Sequence, residues 1–214
     1  MNSLHTSIAT VGLFALTFLS PGPNLLVVVQ SSLSKGRAAG IAAGMGVATG
    51  DGIYAGLGLF GMSALITAGG TLFHVIKILG GLYLIWFGVR LLLTRTPAAL
   101  SPQDMAAAGP LRSYFARGLV TDLANPQTVL FFASIFAVTL TPDTPTWAKG
   151  VSWIGIVVTS MLWRSLLSVA LSHHRVRRAY ERAQVPMERL VGIALGAFGA
   201  RLLIQGVSER GGGG

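Results

Sequence analysis

Five polar side chains stand inside segments that are otherwise apolar, and their types limit the chemistry the chain can do. Asp51 and Arg164 each lie midway along an apolar run. A charged side chain at the centre of a bilayer costs on the order of 3 kcal/mol on insertion scales, so each needs a partner. One reading pairs them with each other as a structural ion pair. The other gives them a ligand: Asp51 holds a substrate ammonium or takes up a coupling proton, and the planar donor fork of Arg164 holds a carboxylate. Asn24 and Asn125 stand beside prolines in Ser20-Pro21-Gly22-Pro23-Asn24 and Asn125-Pro126. Their amides offer donors and acceptors to an amino or carboxylate group. Asp122, one helical turn before Pro126, is expected to line an inner entrance or to pair with Arg117.

Other chemistries lack their parts. The chain has no cysteine, so it has no thiolate nucleophile and no thiolate metal ligand. His5 and His74 are isolated, and the adjacent His173 and His174 point in different directions on a helix, so no metal site is expected. No HExxH, GxSxG or Walker-type glycine loop occurs, which excludes a zinc hydrolase, a serine hydrolase and ATP-driven work within this chain. No enzyme and no cofactor are expected.

The elements that must position these residues follow from composition. Of 214 residues 52% are hydrophobic and only 11% are charged, and the mean hydropathy is +0.66. Soluble proteins carry about 25% charged residues. An apolar stretch of about 20 residues crosses a bilayer, so the length predicts an all-α, polytopic membrane protein of six transmembrane helices with no room for a soluble domain. The spans are expected near 8–30, 39–66, 72–93, 114–140, 147–171 and 190–204. Residues 1–210 are expected to form one transmembrane domain with halves at about 8–93 and 114–206, and the glycines at 211–214 read as a flexible tail.

Each proline removes a backbone donor, so Ser20, Pro21, Gly22 and Pro23 should break the first span and Pro126 the fourth. The two halves therefore share an unusual feature. Three spans per half force the halves to enter the bilayer from opposite sides, making the repeat inverted, an arrangement that secondary transporters combine with broken helices at mid-membrane. The formal charge of +9 reads as an orientation signal, not a nucleic-acid signal. The basic loops around Lys35/Arg37, Arg90 to Arg117 and Arg175 to Arg182 are all placed in the cytoplasm, which leaves both termini outside.

The residues resemble those of a known family. Phe18-Leu19-Ser20-Pro21-Gly22-Pro23-Asn24, then Gly36 to Gly52 ending in Thr49-Gly50-Asp51-Gly52, Leu82 to Gly88, Phe115-Ala116-Arg117-Gly118 and Asn125-Pro126-Gln127 are similar to the LysE/RhtB amino-acid exporter superfamily. The resemblance covers nearly the full chain. It implies a bacterial inner-membrane exporter of amino acids or close derivatives, driven by the proton gradient and often dimeric, with Pro21 to Asn24, Asp51 and Asn125-Pro126 as the matching features. Gln127 stands where members often have Lys, and the flavour is closer to the homoserine and threonine branch. Two other classes remain at this point, a metal or small-ion transporter and a non-transporting membrane scaffold. The first would want several converging ligands; the second gives no reason for charge at mid-span.

Overall fold

The computed structural model describes residues 3–19, 22–67, 71–95, 109–141, 143–171 and 174–211. Ser20 and Pro21 of the first expected break, most of the connection between the halves, His173 and the last three glycines lie outside them.

Every regular element among the described residues is a helix. In chain order they form α1 (Ser3–Leu16), a 3-10 turn (Thr17–Leu19), α2 (Pro23–Lys35), α3 (Arg37–Thr67), α4 (Thr71–Leu92), α5 (Leu111–Leu123), α6 (Pro126–Thr139), α7 (Thr146–Ala170) and α8 (His174–Gly211). α7 is by itself long and apolar enough to cross a membrane, and α5 with α6 meets the same test as one pair bent by 59°. α1, Pro23–Leu33 and Ile78–Leu92 are shorter apolar helices.

Local chemistry sets the breaks. α2 begins with Gly22 in an extended conformation and Pro23 at the first helical position, where a missing N–H costs nothing and φ is already helical. At the second break Pro126 disfavours helix for the residue before it, and Asn125 is extended at φ −85° and ψ 108°. The Asn125 side chain then caps α6 by accepting the Gln127 backbone N–H at 3.0 Å. Gly36, with φ 81°, turns the chain between α2 and α3 in a conformation that an L side chain rarely adopts.

The sequence predicted a basic loop followed by a short final span; the structure corrects this. α8 runs unbroken through 38 residues with Pro186 inside it, so Arg178 and Arg182 stand on the first half of a helix. At 1.5 Å per residue it is about 57 Å long, well beyond a hydrocarbon core of about 30 Å. Basic character on that half hid the helix from a hydropathy reading.

Two pairs of long helices pack along their lengths. α3 lies against α7 and α4 against α8, and both pairs are antiparallel. Gly44 meets Arg164 while Gly56 meets Trp153. Likewise Gly81 sits back to back with Gly199, and Gly88 with Gly192. A methyl on Gly88 would lie 2.6 Å from the Gly192 carbonyl oxygen, and one on Gly192 equally close to that of Gly88. Glycine is what lets these two backbones touch.

Large apolar side chains stand on the outer surface while several polar ones are buried. Leu57, Leu162 and Ile204 are each about two-thirds exposed, whereas Asp51, Asp122, Arg164, Ser134 and Ser160 are buried. An outer surface this apolar suits hydrocarbon, and the polar side chains are kept for the inside. Phe14, Phe18, Phe131, Phe132 and Phe136 lead the main core cluster, with Leu59, Leu84, Ile156 and Leu195 closing it.

Candidate functional site

The two breaks meet inside the bundle. Gly22 faces the side chain of Gln127, and the Asn125 amide donates to Asn24 Oδ1 at 3.2 Å. Asn24 in turn donates from Nδ2 to Asp122 Oδ1 at 2.5 Å and to Thr128 Oγ1 at 3.1 Å. Thr128 adds a third link by donating to Asp122 Oδ1 at 3.1 Å. Asp122, expected at an entrance, is therefore fully buried and tied to both breaks. Its hydrogen-bond partners are Asn24 and Thr128, residues that the breaks deliver to it.

A second polar group stands on α3 and α7. Arg164 Nη2 and Asp51 Oδ2 form an ion pair at 2.7 Å with both side chains buried. Ser160, one turn before Arg164, donates to Asp51 Oδ2 at 2.6 Å and accepts from Arg164 Nε at 3.1 Å. The guanidinium carbon also lies 5.8 Å from the centroid of the Phe18 ring, within cation–π range. The ring of Phe18 stacks on Trp163. Burial strengthens every one of these interactions because little water screens them.

Both groups open onto one cavity of about 70 Å³, room for several waters or a small polar head group. Asn24, Asn125, Asp51 and Arg164 all line it, with Gly22 beside them. Pro23 and Pro126 are exposed; they act by ending helices. Most of the remaining wall is aromatic, from Phe14, Phe18, Tyr83, Phe87, Phe131 and Phe132, with Thr17, Leu25, Gln127 and Thr128 between them. Tyr83 also reaches the Gln127 carbonyl, from its hydroxyl at 3.4 Å.

Residue types alone did not single out Ser160, Thr128 or the aromatic wall. Ser160 had a usable signal, since it precedes Arg164 by one turn and so shares its face. Thr128 follows Pro126 by two residues, within the first turn that the break exposes. Phe18, Tyr83 and Phe87 fall within the stretches that carry the family resemblance, but residue type gave them no role, because an aromatic ring in an apolar helix reads equally well as core or lipid contact. Among the described residues no group of three His, Asp or Glu side chains is placed to hold a metal ion.

Helices that break at a buried polar cavity, wrapped in an apolar surface, define a membrane carrier. Residues 15–206 match the LysE type translocator family, and the chain belongs to it. It is thus a transport protein of the inner membrane and not an enzyme. The chain is 50% identical over 210 residues to the uncharacterized membrane protein YahN of Escherichia coli (strain K12), covering 98% of this chain and 94% of that one. It is 28% identical to the threonine efflux protein of the same organism, covering 95% and 99% of the two chains. It is 32% identical to the leucine efflux protein of Salmonella choleraesuis (strain SC-B67), covering 86% and 88%. No solved structure matches.

Proposed function

We propose that the chain exports neutral or small polar amino acids, homoserine- or threonine-like, by proton-coupled alternating access. One observation carries this reading: a buried Asp51–Arg164 pair faces the cavity onto which both helix breaks open. Such a pair is the electrostatic complement of a zwitterion. An amino acid can place its ammonium at Asp51 and its carboxylate at Arg164, replacing one neutral arrangement of charges by another, so neither ion is left uncompensated. Resting as a pair and binding as a site are then two states of the same residues. The first turns of α2 and α6 add amide donors, whose positive dipole ends favour a carboxylate. The small cavity suits a short side chain. Efflux of threonine and of leucine by relatives fits the same substrate class.

The six-span, inverted-repeat architecture belongs to this proposal. α1 with α2 forms the first broken span and α5 with α6 the fourth. Antiparallel packing of α3 on α7 and of α4 on α8 is what a two-fold axis in the membrane plane would generate. Rocking of one half against the other opens the cavity to each side in turn. Both termini lie outside, and the first half of α8 extends into the cytoplasm with its arginines. Assembly as a homodimer in the lipid bilayer completes the reading, and no nucleic acid is a partner.

The test is purified protein in liposomes, supplied with labelled threonine and an imposed pH gradient. Gradient-driven accumulation, lost in Asp51→Asn, is the expected result. Electrogenic uptake of a metal ion, indifferent to amino acids, would sink the proposal.

A further inference from the structure

Asp51 and Asp122 are both buried beside the helix breaks, and their surroundings differ in kind. Asp51 has a guanidinium at 2.7 Å and a serine hydroxyl at 2.6 Å on the same oxygen. Its negative charge is matched where it stands. Asp122 is 0% exposed, and its hydrogen bonds come from the neutral Asn24 and Thr128, both to Oδ1. Among the described residues Oδ2 accepts no hydrogen bond. That oxygen is turned toward Gly50 of α3, where even a methyl group would strike it.

A buried carboxylate oxygen with no donor, whose nearest counter-charge is already paired with another acid, is an expensive arrangement for an anion. It is an ordinary one for a carboxylic acid, whose O–H occupies that oxygen and removes the charge. The charged groups facing Asp122 from the packed elements are Asp51 on α3 and Arg164 on α7. They are spent on each other. α2 and α6 contribute Asn24 and Thr128, which do not titrate.

We propose that Asp122, not Asp51, takes up the coupling proton, at Oδ2, while Asp51 holds substrate. This rests on proton-coupled export at the same site. The proton arrives from the outer water, binds Oδ2 and leaves to the cytoplasmic water, with no other bond made or broken. Asp122 also has a route by which its protonation state is felt. Its Oδ1 holds the Asn24 amide, Asn24 Oδ1 holds the Asn125 amide, and Asn125 Oδ1 caps α6. Charge on Asp122 tightens that chain of bonds; a proton on Oδ2 weakens Oδ1 as an acceptor and loosens the two breaks together.

The experiment compares wild type, Asp122→Asn and Asp51→Asn in liposomes, with labelled threonine and a trapped pH-sensitive dye. In Asp122→Asn gradient-driven accumulation should fall by about tenfold or more relative to the exchange of labelled for unlabelled threonine, a coupling loss of the usual allosteric size. Threonine-evoked proton movement should vanish with it. Asp51→Asn should lose exchange as well. Gradient-driven accumulation and proton movement that survive in Asp122→Asn overturn the assignment. Failure of wild type itself to respond to the gradient would instead defeat proton-coupled export.

Wild-type protein gives a check that needs no variant. An apolar carbodiimide adds the O–H of a protonated buried carboxyl across one C=N bond, and mass spectrometry locates the adduct. Modification at Asp122 is expected. Modification confined to Asp51, or none at Asp122, overturns the proposal.

Discussion

Asn125 donates its side-chain amide to Asn24 Oδ1 at 3.2 Å, joining two helix breaks that lie 101 residues apart in the chain. Each asparagine has a second duty. Asn24 holds Asp122 and Asn125 caps α6, so the contact couples the start of one helix to a buried acid in another.

That double duty predicts non-additivity. Asn125→Ala should cost about 1 kcal/mol for the lost cap, and a double-mutant cycle with Asn24→Ala should show a coupling of about 0.5–3 kcal/mol. Asn125→Asp keeps the capping oxygen and loses the donor, so it should retain the stability of the cap while losing the link between breaks. Thermal unfolding in detergent alongside threonine uptake separates the two effects.

Breaking the Asp51–Arg164 pair should be worse than removing it. Arg164→Met leaves a buried carboxylate without its counter-ion and should destabilise by about 3–5 kcal/mol. The double variant Asp51→Asn with Arg164→Met buries no bare charge and should recover much of that stability. Transport should stay lost in both. A double variant no more stable than the single one would show that the pair is not the source of the cost.

At the α4–α8 contact, Gly88→Ala or Gly192→Ala places a methyl against backbone, and overpacking of this kind costs about 1–3 kcal/mol. Gly150→Ala has open space around it and should be neutral. Monodisperse yield and thermostability on size exclusion read the difference directly.

Because the chain lacks cysteine, single introduced thiols can map its orientation. Asp143→Cys should react with an impermeant maleimide from the outside of intact cells. Val176→Cys, on the first half of α8, should react only after permeabilisation. The reverse pattern would invert the topology without touching the fold.

Much of this arrangement was legible in residue types. Prolines in apolar runs located both breaks, because a missing donor and a restricted preceding residue act locally. Asp51 and Arg164 declared themselves because a charge in an apolar helix needs an explanation wherever the helix ends up. α8 escaped, since a helix leaving the bilayer changes its composition while its backbone continues unchanged. Asp122 was recognised as a polar oddity and read as lining an entrance or pairing with Arg117, because nothing in its neighbourhood along the chain announces Asn24.

The sequence by itself determined the class of solvent, the helical content, the two breaks and the short roster of polar residues, since each of these follows from local composition. Tertiary structure alone decided which of those residues meet. Asp51 finds Arg164 across 113 residues and Asp122 finds Asn24 across 98, and those meetings make one carboxylate a matched ion and leave the other with an oxygen that accepts no hydrogen bond. Whether a buried acid is compensated depends on the groups within a few ångströms of it, and chain spacing does not encode that distance.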